Sequence, residues 1–169
     1  MTFGMKVCRL LLWLFVILFG IEIGAGLFEL VVLVPRWAAS PPESVWRLHE
    51  LNQQFPEFAT DAGGRFWIFT TPLLGLLAIV LLAACFTTSG AHRSWILAST
   101  IVTIAVVVAT LVYFVPSIIA FSGSPRDVNG AQIAAMAHRW VALTWVRFFL
   151  YLTAWLCALR ALTLSPSDD

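Results

Sequence analysis

The sequence predicts an all-α, four-helix transmembrane bundle with an amphipathic interfacial helix in the first outer loop. Three observations carry this. Of 169 residues, 60% are apolar and 11% charged, where a soluble domain has about 45–50% and about 25%. Four apolar blocks, 10–34, 66–91, 94–125 and 134–164, each exceed the about 20 helical residues that cross the ~30 Å hydrocarbon layer. The second and third blocks contain no Asp, Glu, Lys or Arg. Backbone groups in lipid must pair within their own segment, so these blocks are helices.

The first span is expected over 8–35. Lys6 and Arg9 precede its apolar run, as in a secretory leader, but apolar character continues to Val34, past any h-region. The segment 35–65 then holds a helix of its own. Ser40-Pro41-Pro42-Glu43 reads as a helix start, with a capping Ser, Pro at the first position and Glu three residues on. Val45, Leu48, Leu51 and Phe55 follow at helical spacing. This predicts an amphipathic helix over 41–55 on the membrane surface, with Trp46 and Trp67 in an interfacial belt. Further spans are expected over 65–88, 94–121 and 132–162, with an irregular turn between the last two. No internal repeat is apparent, and 1–169 reads as a single membrane domain. Lys6, Arg9 and His92-Arg93 place both termini on the cytoplasmic side.

Several function classes are excluded. A net charge of +1 offers no basic surface for nucleic acid. Cys8, Cys85 and Cys157 form no CxxC pair, which a thiol–disulfide enzyme needs. His49, His92 and His138 lack mutual ligand spacing, so no metal is expected.

The informative residues are charges inside the apolar blocks. A charge at the centre of a spanning helix costs roughly 2.5–3.5 kcal/mol. Glu22 and Glu29 are seven residues apart and share a face within about 20°. Gly20 and Gly24 beside them have the spacing that lets helices approach closely. The fourth block carries Trp140, Thr144, Arg147, Tyr151 and Ala154 on one stripe. By depth, Glu22 matches Arg147, while Glu29 matches Arg139 or His138, with Tyr113, Thr70 and Thr71 at the shallower level. These residues predict that Arg147 pairs with Glu22, Glu29 or both, with Glu22–Arg147 as the deeper pair, and an outer-half pocket roofed by the 41–55 helix. The pair serves equally well as a structural clamp. Trp140 and Trp145 could stack on an aromatic ligand.

The chain resembles the anthrone-oxygenase-like integral membrane proteins, a four-helix family. The resemblance lies in Gly24-Ala25-Gly26-Leu27-Phe28 followed by Val34-Pro35, Leu51-Asn52 with Phe66 later, Val115-Pro116, and Arg139-Trp140 with Arg147. The chain departs at Thr144-Trp145, where the family often has Asn-His, and at Ile118, where Asn is frequent. The resemblance implies oxidation of a hydrophobic aromatic or quinone-like small molecule by molecular oxygen without a cofactor. Such chemistry needs a base and a cation to hold the enolate. Glu29 is the candidate base, Arg147 the stabiliser, and Glu22 orients Arg147. Tyr113, Trp140, Thr71, Thr144, His138 and Asn52 are the candidate substrate-binding residues. The expected partners are that small molecule and the lipid bilayer. The competing readings are a non-catalytic binder, transporter component or assembly factor, and an ion pathway, which would need a homo-oligomer to enclose a lumen.

Overall fold

A computed structural model describes residues 3–54, 62–86, 91–123, 126 and 129–164. They form helices α1 (Phe3–Phe28), α2 (Val34–Ala38), α3 (Glu43–Gln54), α4 (Ala62–Cys85), α5 (Ala91–Ala109), α6 (Val115–Ser122) and α7 (Gly130–Thr163). Four stretches are long and apolar enough to cross a membrane: Lys6–Ala38, Gly64–Cys85, His92–Ser122 and Gly130–Thr163. The chain is therefore all-α with four candidate spans and one short helix, as composition predicts. Its outer surface is apolar in the manner of a lipid-facing bundle. Phe69 is 75% exposed and Val112 73%, far more apolar surface than a soluble monomer shows.

The first and third spans are each interrupted in the same way. Between α1 and α2, Glu29–Leu33 forms a π-helical turn, and between α5 and α6, Thr110–Phe114 forms another. The Val34 N–H donates to the Glu29 carbonyl and the Val115 N–H to the Thr110 carbonyl, five residues back. Each valine precedes a proline, Pro35 or Pro116, which lacks an N–H and crowds the carbonyl four residues before it. The widened turn absorbs that defect without breaking the span.

The two turns expose a repeat that the sequence reading missed. Residues 29–35, ELVVLVP, match 110–116, TLVYFVP, at Leu, Val, Val and Pro. In the second and fourth spans, 65–70, RFWIFT, parallels 139–144, RWVALT. Thr70 and Thr144 each donate to the carbonyl four residues back, at 3.1 and 2.8 Å. Packing agrees with this pairing. α1 packs on α4, α4 on α5, α5 on α7, and α7 on α1, a closed ring with α1 diagonal to α5. Exchanging the two halves maps this ring of contacts onto itself. Matches of four residues in seven are faint among apolar helices; the shared backbone defect makes them visible.

Two apolar clusters fill the ring. Phe15, Phe19, Leu74, Leu81 and Ile96 lead the one nearer the termini. Trp37, Phe114, Phe121, Ile133 and Trp140 lead the one nearer α3. Two indoles fasten α7 to its neighbours. Trp155 Nε1–H donates to the Val16 carbonyl at 3.1 Å, and Trp140 Nε1–H to the Phe114 carbonyl at 3.0 Å. The Trp155 ring sits 3.6 Å from where a Gly20 side chain would begin. Gly20 therefore seats an aromatic ring rather than a second backbone, and Gly24 has open space beside it. Gly75 likewise seats a side chain, a Val107 methyl that would stand 3.2 Å from its Cβ.

The expected interfacial helix is present as α3, and its start differs in detail. The Ser40 carbonyl accepts the Ser44 N–H at 3.2 Å, as at an N-cap, and it is the Ser44 hydroxyl that reaches back, accepting the Ser40 N–H at 3.3 Å and donating to the Trp37 carbonyl at 2.5 Å. Val45 is buried, with Trp46 and Leu48 packed against the same cluster, while Leu51 stays 44% exposed. Phe55 lies outside the described residues.

Candidate functional site

The two apolar clusters meet at a polar layer. On the first span Phe19 gives way to Glu22 and Glu29 before Leu30; on the second, Thr70 and Thr71 precede Leu74. On the third, Thr110 lies between Val106 and Phe114; on the fourth, Thr144 and Arg147 lie between Trp140 and Tyr151. Depth counting anticipates this layer, because straight helices crossing one slab share a common scale.

Arg147 sits at its centre. Its guanidinium lies 4.4 Å from the Phe114 ring centroid and 5.9 Å from that of Trp140. It faces Glu29 most strongly, then Tyr151 and Glu22. Among the described residues no carboxylate comes within 4.0 Å of it. The pairing expected with Glu22, Glu29 or both is thus an electrostatic one across a gap, and the direct contacts of the cation are aromatic faces.

Glu22 is 1% exposed, and neither carboxyl oxygen has a hydrogen-bond partner. Thr70 and Arg147 are among the polar groups that face it, but the Thr70 hydroxyl already donates to the Phe66 carbonyl. The Tyr151 hydroxyl, also buried, has no partner either and faces both Glu22 and Arg147. Its ring packs edge-on against Phe19, with centroids 5.2 Å apart. Buried polar atoms are almost always paired; besides Ser99 Oγ and Trp46 Nε1 elsewhere, the unpartnered side-chain atoms among the described residues are the oxygens of Glu22 and Tyr151 in this layer.

Glu29 opens the first π-helical turn and is half-buried. It faces Arg147 and the indole of Trp67. Its cation is therefore Arg147, not Arg139 or His138. Arg139 is exposed and lies over the Tyr113 ring at 5.7 Å, and His138 is exposed.

The remaining candidates divide. Thr71 and Trp140 are buried at the layer, and Tyr113 is half-buried against Phe114. Thr144 is buried with its hydroxyl committed to the Trp140 carbonyl. Trp145 stacks on Phe149 at the exposed surface of α7. The Asn52 side chain lies outside the described residues. Two members of the site escaped sequence reasoning. Trp67 was assigned to the interfacial belt, although it stands one turn from Thr70 and at matching depth. Phe114 carries no polar atom on its side chain and so gave no signal. Among the described residues no group of three or more His, Cys, Asp or Glu could hold a metal ion.

The arrangement can hold one cation against two acids inside a hydrocarbon slab, beside aromatic rings and unpartnered oxygens. No protein-family model, curated protein or solved structure matches the chain; its architecture is that of a four-helix, multi-pass membrane protein in contact with the lipid bilayer.

Proposed function

We propose that this polar layer is the site of an oxygenase-like membrane oxidoreductase acting on a hydrophobic aromatic or quinone-like small molecule. The observation that carries the reading is Arg147: a guanidinium on aromatic faces, between a half-buried Glu29 and a fully buried, unpartnered Glu22. Maintaining such charges in lipid costs several kcal/mol, which a ligand-binding or catalytic role would explain.

In this reading Glu29 takes a proton from a carbon next to a substrate carbonyl, and Arg147 holds the enolate oxygen that results. Molecular oxygen adds to the deprotonated carbon, the peroxide takes back the proton held by Glu29, and loss of one water by O–O cleavage leaves a new carbonyl, so that one oxygen atom ends in the product and the other in water. Trp67, Tyr113 and Trp140 are the aromatic side chains on which such a substrate would stack. The resemblance to the anthrone-oxygenase-like family supports the same chemistry.

Mass spectrometry of extracts from the purified protein should find a copurifying hydrophobic aromatic compound. Oxygen uptake with that compound should be lost in Glu29→Gln, while its helical circular dichroism and gel-filtration profile in detergent match the parent's. A Glu29→Gln protein with full oxygen uptake would remove Glu29 as the base. The second reading, a non-catalytic binder or structural clamp, draws on Thr144 and Trp140, whose polar atoms are consumed by internal hydrogen bonds. It would be favoured by a copurifying ligand that is never turned over, or by none at all.

A further inference from the structure

A second feature stands apart from the intramembrane layer. Where α2 turns into α3 there is a cleft of about 520 Å³. Arg36 reaches it from the end of the first span and Arg47 from the second turn of α3. Leu48 and Leu51 supply apolar lining, and Glu43 is the one acid among the lining residues. The Ser44 hydroxyl at its edge is already engaged with Trp37 and Ser40. Among the described residues, neither arginine nor Glu43 has an ion-pair partner within 4.0 Å. Two guanidinium groups against one carboxylate leave the cleft with a charge of +1.

Position narrows the ligand. Arg36 lies two residues before the end of the first candidate span at Ala38. Immediately toward the bundle centre, Leu27, Phe28, Val31 and Val32 are exposed apolar residues on the same span. The cleft thus stands at the top of a lipid-facing stripe, at the depth where arginines meet headgroups. Guanidinium groups match phosphate oxygens in geometry as well as charge.

We propose that the cleft between α2 and α3 binds the phosphate of one anionic membrane phospholipid, whose acyl chains lie along the Leu27–Val32 stripe. A soluble phosphate would use the same two arginines but gain nothing from the stripe, so a lipid is the occupant the surroundings favour. Bound there, the lipid ties the amphipathic helix to the end of the first span.

The test uses the full chain in detergent, with native mass spectrometry counting lipids during titration with phosphatidylglycerol or phosphatidylcholine. One phosphatidylglycerol should bind at concentrations where phosphatidylcholine does not. Arg36→Gln and Arg47→Gln should each weaken binding about fivefold, and together about 25-fold, since a basic residue near an anionic surface contributes about 1 kcal/mol. Glu43→Gln should tighten it, a gain that damaged folding cannot imitate. Arg65→Gln, an exposed arginine outside the cleft, should change nothing. Equal binding of the two lipids, unchanged binding in the double variant, or an equal loss in Arg65→Gln would overturn the proposal. Displacement of the lipid by an equal concentration of inorganic phosphate would also overturn it, by showing that the cleft selects a free anion.

Discussion

Trp140 illustrates how single side chains hold a bundle together when water is absent. Its ring packs against Trp37 and Phe121, its π face lies under Arg147, and its indole N–H ends on the Phe114 carbonyl. In lipid the hydrophobic effect does not drive helices together, so packing and interhelical hydrogen bonds must. Trp140→Phe keeps the aromatic volume and removes the donor. It should lower stability by about 1–3 kcal/mol, the cost of losing a buried hydrogen bond, as a lower thermal midpoint in detergent. Arg147 offers a second measurement. Double-mutant cycles of Arg147→Met with Glu29→Gln and with Glu22→Gln should give coupling of about 0.5–3 kcal/mol. The Glu29 cycle should be the larger, because Glu29 faces the guanidinium more strongly than Glu22 does. Equal or reversed couplings would show that Glu22 is the principal partner.

At the scale of the element, the π-helical turns and α3 are the informative pieces. Each turn sits one residue before a Val-Pro step on diagonal spans, so the chain directions of α2 and α6 are set by the same device. α3 is held by contacts of the opposite kind, side chains closing over a residue without one. A Cβ on Gly130 would stand 2.9 Å from Pro42 and 3.3 Å from Trp46. The proline ring cannot rotate away. Gly130→Ala should therefore cost about 1–3 kcal/mol through overpacking, although alanine is the better helix former. Hydrogen exchange should show faster exchange across α3, with the spans unchanged. Unchanged protection in α3 would mean that the Pro42 contact yields easily. The surface pair Arg126–Glu50, at 2.6 Å and largely exposed, does little to hold α3 in place.

At the scale of the whole molecule, the ring of four spans closes through contacts between its halves as well as within them. Those contacts make each half a helix pair with an incomplete core. Chains ending at residue 86 and beginning at residue 91, expressed together, should copurify in detergent through a tag on one of them. Failure to associate would show that the connection between the halves, and not their packing, holds the ring closed. The asymmetry between halves is as telling as the likeness. Glu22 and Glu29 in the first half correspond to Thr103 and Thr110 in the second, whose hydroxyls are spent on the carbonyls of Ser99 and Val106 at 2.8 Å. The acids are the additions to an otherwise repeated plan.

Much of this was legible in the amino-acid order alone. Four uninterrupted apolar blocks determine four helices, because lipid leaves the backbone no other way to satisfy its hydrogen bonds. Counting at 1.5 Å per residue was enough to bring Glu22 level with Arg147, since depth along a straight helix is a one-dimensional quantity; it put Thr70 at the shallower level of Glu29, whereas the bundle turns Thr70 toward Glu22. Rotation about the helix axis and the choice of neighbour are not. They depend on which ring fills which gap, and only the packed bundle decides that. Arg147 therefore rests on Phe114 and Trp140 rather than in contact with Glu22. Arg139 turns to Tyr113 and leaves Glu29 to Arg147. Gly20 receives Trp155 where a second backbone was expected. Composition and spacing determined that charges share a slab; the tertiary structure decided which of them face each other, because aromatic packing set the rotations first.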